Sequence, residues 1–148
     1  FSDAHGIENK AFGGLIPSCE QQQLLGILFP SACFSGRCPE QGALFSFFLG
    51  GLKHAEMLDK TDDELREIIM KALPMMLGFP HDVQPDRIQF FRHARAIPQY
   101  ELSSGDRFAA VARIEQAHPG LVIGGNLRDG IGMADRIRQG VAMGMQDD

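Results

Sequence analysis

The stretch Leu121-Val-Ile-Gly-Gly-Asn-Leu-Arg-Asp-Gly-Ile-Gly-Met-Ala-Asp135 contains the strongest structural signal in the chain. It begins with a short apolar run, which predicts a buried strand. Four glycines follow the run, and apolar residues then recur at the three- and four-residue spacing of a helix. We therefore predict a strand, a glycine-rich turn and a helix in this order.

A glycine-rich turn at the start of a helix can receive a ligand. The first helical turn has free backbone N–H groups and a partial positive charge, and glycine lets a ligand approach the backbone closely. A phosphate, a carboxylate or the electron-rich edge of a cofactor ring suits such a turn. A tight turn without any ligand produces the same short pattern, so the pattern alone leaves both interpretations open.

The spacing Gly130-x-Gly132-x-x-Asp135 is close to the dinucleotide fingerprint G-x-G-x-x-G, but Asp135 stands where the third glycine belongs. The few residues after Asp135 leave no room for a second strand with its ribose-binding acid. We therefore expect no complete dinucleotide-binding unit at this end of the chain.

Composition narrows the classes of function. The 148 residues suffice for one domain with a hydrophobic core, and the 44% hydrophobic and 22% charged shares are typical of globular proteins. A net charge of −5 argues against nucleic-acid binding. Cys19, Cys33 and Cys38 have the spacing of neither a disulfide framework nor a zinc site, and no histidine pair has metal-ligand spacing. We expect no bound metal.

Upstream of the opening stretch, apolar runs bounded by turn residues predict three strands at 12–17, 24–29 and 43–49, and a fourth at 87–93. Residues 1–10 are mostly polar and predict a frayed start. The third strand is apolar on both faces, so each face needs cover. A helix can cover one face, and core or a hydrophobic substrate can cover the other.

Two helices are predicted between the strands and the opening stretch. Thr61-Asp-Asp-Glu64 is a capping box. Pro74 should kink or end the helix that follows it, and Gly78 with Pro80 should close it. Its apolar stripe comprises Leu65, Ile68, Ile69, Ala72, Leu73 and Met76. Ser103 or Ser104 can cap the second helix, with Phe108, Val111 and Ala112 facing inward. His118-Pro-Gly120 should end it. The predicted fold class is therefore α+β, a mixed or antiparallel sheet with packed helices and a C-terminal strand–turn–helix.

Three ordered blocks of the sequence resemble the protoporphyrinogen oxidases of the flavin amine oxidase superfamily. The match covers nearly the whole chain. The blocks are Gly-Asn-Leu-Arg-Asp-Gly-Ile-Gly-Met-Ala-Asp-Arg-Ile-Arg-Gln-Gly at 125–140, Arg95-Ala-Ile-Pro-Gln-Tyr100, and Phe12-Gly-Gly-Leu-Ile-Pro-Ser18 continuing through Leu25-Gly-Ile-Leu-Phe-Pro-Ser31 to Phe34 and Arg37-Cys-Pro39.

The resemblance implies the C-terminal portion of a longer enzyme that binds flavin adenine dinucleotide (FAD). Residues 1–100 would belong to a substrate-binding domain and residues 101–148 to the FAD-binding domain. The implied reaction oxidises protoporphyrinogen or coproporphyrinogen to the porphyrin by hydride transfer to the flavin. No side chain in the sequence stands out as a catalytic acid or base, which agrees with chemistry carried by a cofactor. We expect the chain alone to hold no flavin and to be inactive.

The resemblance also assigns residues to the cofactor. Backbone N–H groups of Ile131, Gly132 and Met133 would face the pyrimidine edge of the flavin, and glycine at 132 would let the ring approach. Asn126 and Gly130 belong to the same motif. His93 stands where many relatives carry a tryptophan near the flavin, although an ordinary strand residue is an equal alternative for this position.

Phe34 matches an aromatic residue that packs on the porphyrinogen macrocycle in the family, but Ser35 replaces the proline that usually follows it. The resemblance implies a cytoplasmic protein and leaves peripheral membrane association and oligomeric state open. Two alternatives also stay open. One is another flavin amine oxidase or desaturase, and the other is a non-catalytic module that binds a flat apolar ligand.

Overall fold

The first half of the chain forms a three-stranded antiparallel sheet. In the computed structural model, which describes residues 1–8 and 10–145, β1 (Gly13–Leu15), β2 (Leu24–Leu28) and β3 (Ser46–Leu49) pair in the order β1-β2-β3. The three predicted N-terminal strands are confirmed, each somewhat shorter than predicted. The α+β class is likewise confirmed, with antiparallel pairing throughout this sheet.

Helices and short 3₁₀ turns connect and follow the strands. The helices are α1 (Pro30–Cys33), α2 (Asp62–Leu77), α3 (Ser104–Ala117) and α4 (Met133–Gly144), and 3₁₀ turns occupy Ser18–Glu20 and Ala55–Leu58. The chain divides into two units, Phe1–His93 and Ala94–Asp148. The sheet, α1 and α2 belong to the first unit, and α3 and α4 belong to the second.

Helix α2 begins as its sequence predicts. Thr61 Oγ1 accepts a hydrogen bond from the Glu64 backbone N–H at 3.3 Å, and the Thr61 N–H donates to the Glu64 carboxylate at 2.8 Å. Four stripe residues, Leu65, Ile69, Ala72 and Leu73, are buried. The helix continues past Pro74 to Leu77, so Pro74 does not end it. Gly78 ends it, as predicted, in the left-handed conformation at φ 73°.

The core of the first unit lies between α2 and the sheet. Ile69, Leu73 and Phe79 form its buried centre, against which Phe45 and Phe47 pack. Because successive side chains of a strand point to opposite faces, Phe47 turns inward while its neighbour Phe48 stays exposed. One face of the third strand is therefore core, as predicted.

The chain start is anchored, and the expected frayed start is wrong. The Phe1 ring stacks on Phe79 with centroids 4.6 Å apart. Its ammonium group donates to the Ala43 carbonyl at 3.0 Å, and the Ser2 N–H donates to Asp86 at 2.5 Å. One aromatic residue in a polar segment supplies enough apolar contact to hold it.

The predicted strand at 87–93 is also wrong, because residues 87–93 make no strand pairing with the rest of the described chain. Side-chain contacts, and not backbone hydrogen bonds to a neighbouring strand, hold this segment. Arg92 Nη2 donates to the Lys60 carbonyl at 2.7 Å, and Arg92 Nη1 pairs with Asp62 at 2.7 Å, at the start of α2. Phe90 packs against the core.

In the second unit, α3 ends at Ala117 before His118-Pro-Gly120, as predicted. Ser103 occupies the N-cap position but makes no capping bond through its side chain. The Ser104 hydroxyl instead accepts from the Glu101 N–H at 2.8 Å. Val111 is buried, whereas Ala112 is exposed, so the inward placement of Ala112 is wrong.

Helix α4 is confirmed, but the buried strand predicted at 121–123 is wrong. Leu121 and Val122 are 43% and 37% exposed, and the segment has no strand partner among the described residues. The Ile123 N–H donates to the Glu115 side chain at 2.8 Å. An apolar run becomes a strand only if another strand edge is available to pair with it. Here the Glu115 side chain, and not a neighbouring strand, accepts the hydrogen bond of the Ile123 N–H.

Leu73→Ala should destabilise the first unit by about 2–5 kcal/mol, because Leu73 is 1% exposed and its loss leaves a cavity. Urea unfolding would measure the change. Met75→Ala is the matched control on the same helix, since Met75 is 59% exposed and its truncation should change stability little. Equal effects of the two substitutions would contradict the described core.

Candidate functional site

Residues 124–132, here called the glycine turn, connect the extended segment 121–123 to α4. Gly125 and Gly130 have φ angles of 105° and 96°, which non-glycine residues rarely adopt. Asp129 lies in the left-handed region at φ 64°, which aspartate tolerates better than most residues. These conformations explain why the two glycines occur here without any appeal to a ligand.

The start of α4 has two backbone donors without an acceptor in the described chain. The Gly132 N–H donates to Asp135 Oδ2 at 3.1 Å, which caps the helix. The N–H groups of Ile131 and Met133 donate to no acceptor within residues 1–8 and 10–145. Ile131 is 43% exposed and Met133 is 80% exposed. This donor set, with the positive end of the helix dipole, suits the electron-rich edge of a flavin.

Asp135 restricts side chains in the glycine turn. A Cβ atom at Gly130 would overlap the Asp135 carboxylate, so packing reinforces the conformational need for glycine. At Gly132 the backbone is ordinary, with φ −74°, and a Cβ would lie 3.1 Å from Asp135 Oδ2. Alanine at 132 therefore needs only a small shift, whereas an acidic side chain would lie beside a carboxylate.

An ion pair attaches the glycine turn to α3. Arg128 donates to Glu115 through Nη1 at 2.9 Å and Nη2 at 2.6 Å, the bidentate geometry that arginine favours with carboxylates. The Arg128 hydrogen bonds, followed by that from the Ile123 N–H, hold the pKa of Glu115 below its usual value. The same pairing raises the pKa of Arg128. Both charges are thereby satisfied within the unit.

Tyr100 and Arg136 also bind the glycine turn, and sequence reasoning missed this role for both. The Tyr100 hydroxyl lies 3.1 Å from the carbonyl oxygens of Asn126 and Gly130 and accepts from the Gly130 N–H at 3.2 Å. Arg136 donates to three carbonyls of the turn. Tyr100 is the sole tyrosine of the chain, but neither residue carries a sequence signal for these contacts.

The structure brings together most of the residues that the sequence assigned to a cofactor. Gly130, Ile131, Gly132 and Met133 are consecutive at the start of α4, and the Asn126 carbonyl is bonded to the same tyrosine as Gly130. His93 belongs to the first unit, where it is exposed and lies outside any strand.

Phe34 follows α1 and is 59% exposed. The Arg37 guanidinium carbon lies 5.6 Å from the centroid of its ring, within cation–π range. An exposed aromatic face beside a cation can contact a flat apolar ligand that bears acidic groups.

The outward face of the sheet carries a second exposed apolar feature. Leu15, Gly26 and Phe48 are directly paired across β1, β2 and β3, and we call them the outer row. Leu15 is 88% exposed and Phe48 is 47% exposed, with the small Gly26 between them. The apolar residues on both faces of the third strand indicated a second apolar face in the sequence. The residues that form the outer row could be identified only from the strand pairing.

Comparison with known proteins shows similarity to enzymes that oxidise porphyrinogens. The particular relatives include protoporphyrinogen oxidase 2 of Arabidopsis thaliana, chloroplastic/mitochondrial, and the mitochondrial protoporphyrinogen oxidase of Nicotiana tabacum. Each is 31% identical over 134 residues, which are 88% of this chain and 26% of the relative. The coproporphyrinogen III oxidase of Staphylococcus aureus is 29% identical over 141 residues, 93% of this chain and 30% of the relative. No protein-family model matches the chain.

These similarities confirm the resemblance carried by the three sequence blocks: the chain is related to a portion of protoporphyrinogen oxidases. It spans about a quarter of the length of the curated relatives it matches. Within the part of the chain that the structure describes, no helix has both the length and the apolar character needed to cross a bilayer.

Glu115→Gln should lower the stability of the second unit at neutral pH, because it removes the carboxylate that Arg128 pairs with. Since folding lowers the pKa of Glu115, its contribution is present above the pKa of an unfolded glutamate and is lost as pH falls through the folded value. Thermal unfolding between neutral and acidic pH measures this. The difference between wild type and variant should shrink on acidification.

Glu101→Gln is the matched control for this pH series, because the Glu101 side chain is exposed and has no ion-pair partner in the described residues. A wild-type advantage over Glu115→Gln that persists unchanged at acidic pH would contradict the assigned role of the ion pair.

Proposed function

We propose that this chain forms part of an FAD-dependent porphyrinogen oxidase of haem and porphyrin biosynthesis. Its relatives are named for protoporphyrinogen and for coproporphyrinogen III, so the proposed reaction is oxidation of one of these porphyrinogens to the porphyrin. The observation that carries the proposal is a pair of backbone amides inside the matching motif, those of the exposed residues Ile131 and Met133, which have no acceptor in the described chain.

In this proposal the start of α4 holds one edge of the cofactor. When bound, FAD supplies the hydride acceptor. The Ile131 and Met133 amides donate to the edge on which negative charge develops, and the α4 dipole stabilises that charge. Gly132 leaves the approach open, while Gly130 and Asn126 set the backbone path that leads to it. The assignment of His93 to the cofactor stays a prediction.

The first unit is proposed to contact the substrate. Phe34 offers an exposed ring, and Arg37 adds a positive charge that attracts the carboxylates of a porphyrinogen. The outer row offers a further apolar surface, because Leu15 and Phe48 expose their side chains on either side of Gly26. Assignment of residues 1–100 to a substrate-binding domain and 101–148 to an FAD-binding domain belongs to the same proposal.

The cellular location also belongs to the proposal. The plant relatives carry chloroplast or mitochondrion in their names, whereas the resemblance implies a cytoplasmic protein with membrane association left open. Fractionation of the producing cells, followed by detection of the chain in the cytosolic and membrane fractions, distinguishes these locations.

The protein expressed from its complete coding sequence should hold FAD and convert protoporphyrinogen or coproporphyrinogen to a fluorescent porphyrin. Gly132→Ala should reduce bound FAD, because the added methyl group narrows the approach to the amides. It should lower the stability of the cofactor-free protein by no more than about 1 kcal/mol, since it weakens only a helix cap. FAD absorbance per chain after gel filtration, and thermal unfolding of stripped protein, supply the two measurements.

Gly140→Ala is the control within the same helix. A Cβ there meets nothing within 4 Å, so FAD retention should stay normal and stability should rise by about 0.5–1 kcal/mol. If the wild-type protein holds no FAD and binds porphyrinogen without converting it, the result would instead support the alternative of a non-catalytic binding module. Oxidation of amines or carotenoid precursors, rather than porphyrinogens, would favour the wider flavin oxidase class.

Phe34→Ala and Phe48→Ala should each raise KM for the porphyrinogen while FAD content stays normal. Loss of an aromatic contact with the macrocycle corresponds to about 1–3 kcal/mol. Steady-state kinetics with porphyrin fluorescence measure the effect. Phe91→Ala is the matched control, because Phe91 is 71% exposed and belongs to neither surface. An unchanged KM in both variants would remove these surfaces from the substrate site.

A further inference from the structure

Arg136 is bonded to the glycine turn through both of its terminal nitrogens. Nη1 donates to the Gly125 carbonyl and to Gln139 Oε1, the latter at 2.6 Å. Nη2 donates to the carbonyls of Arg128 at 2.9 Å and Gly130 at 2.8 Å. One guanidinium group thus donates hydrogen bonds to three main-chain oxygens of residues 125–130, a segment that pairs with no strand of the described chain.

A second side chain of α4 completes this network. Gln139 Oε1 accepts from the Gly125 N–H at 2.7 Å as well as from Arg136, and Gln139 Nε2 donates to Asp129 at 2.7 Å. The Gly130 carbonyl that Arg136 binds also lies 3.1 Å from the Tyr100 hydroxyl. Side chains of α4 and the Tyr100 hydroxyl therefore both hold the turn.

The charge of Arg136 distinguishes it from the other arginines of this region. Arg128 pairs with Glu115 at 2.6 Å and Arg138 pairs with Asp135 at 3.2 Å. No carboxylate of the described residues lies within 4.0 Å of the Arg136 guanidinium. Its Nε is buried and has no acceptor among the described residues. Arg136 therefore brings a half-buried positive charge to the turn, and no described residue neutralises it.

We propose that Arg136 is the positioning residue of the cofactor-facing turn and supplies a positive charge to it. This inference rests on the proposed function. By binding the carbonyls of Gly125, Arg128 and Gly130, Arg136 keeps their negative ends from opposing an electron-rich ligand edge. Its unpaired charge adds to the dipole at the start of α4 and favours a ligand edge that gains negative charge.

Lysine cannot reproduce this arrangement. Its ammonium group has three donors on one nitrogen, whereas the planar guanidinium reaches four acceptors from two separated nitrogens. Arg136→Lys keeps the charge and loses the geometry, and Arg136→Gln loses both. The two substitutions therefore separate the positioning contribution of Arg136 from its charge.

The experiment compares Arg136→Lys, Arg136→Gln and a control, Arg113→Gln, in the protein expressed from its complete coding sequence. Arg113 is an exposed arginine of α3 without an ion-pair partner among the described residues. Amide hydrogen exchange of peptides covering 124–132, in cofactor-free protein, should accelerate in both Arg136 variants and stay unchanged in the control. FAD dissociation constants should rise by about tenfold or more in both Arg136 variants. The reduction potential of FAD bound at saturation should fall in Arg136→Gln and stay nearer wild type in Arg136→Lys.

Each outcome separates the inference from the proposed function. Absence of FAD binding in wild type overturns the proposed function, and the exchange data then decide the positioning role alone. Wild-type FAD affinity, or unchanged exchange, in both Arg136 variants overturns the inference while leaving the proposed function intact. Failure of both variants to fold, with the control folded, also overturns it, because Arg136 would then be a structural residue only.

Discussion

The second unit depends on one constraint: where a backbone segment has no strand partner, its half-buried polar groups need hydrogen bonds from elsewhere, here mostly from side chains. Residues 121–132 contain amides and carbonyls that no ladder pairs within the described chain. Glu115 from α3, Arg136 and Gln139 from α4, and Tyr100 meet this need through hydrogen bonds. A buried or half-buried backbone group without a partner is costly, so these four side chains determine the path of the segment.

This constraint also decides which backbone groups stay available. Arg136 donates hydrogen bonds to carbonyls of the glycine turn, and the Asp135 side chain accepts from the Gly132 amide. The amides of Ile131 and Met133 have exposed surroundings and no described partner. Two donors thus lack an acceptor in the described chain while the carbonyls of Gly125, Arg128 and Gly130 are occupied, an arrangement that suits a ligand with an electron-rich edge.

Local signals in the sequence predicted local structure well. The capping box at Thr61, the apolar stripe of α2 and the left-handed Gly78 each depend on residues a few positions apart, and each is present in the structure. The three first strands were likewise recognisable, since turns bound them on both sides. In the glycine turn, the sequence located the candidate donors because glycine-rich helix starts have a recognisable spacing.

The strands expected at 87–93 and 121–123 fail for a different physical reason. A strand forms by pairing with another edge, and its own residues do not show whether that edge exists. Arg92 and Glu115 replaced the missing ladders with side-chain hydrogen bonds formed over long or medium sequence separations. The roles of Tyr100 and Arg136 were unpredictable for the same reason, because their partners lie elsewhere in the sequence and are main-chain atoms of any residue type.

In the first unit, strand β3 has one face packed in the core and the other exposed. Phe47 and Phe48 are adjacent, yet Phe47 packs against the core cluster while Phe48 is 47% exposed. Because their side chains point to opposite faces of β3, a change at one position need not disturb the other. Exposed Leu15 contributes little burial energy to the fold at 88% exposure. Its apolar surface is therefore available to a ligand, and the stability of the sheet rests on the opposite face.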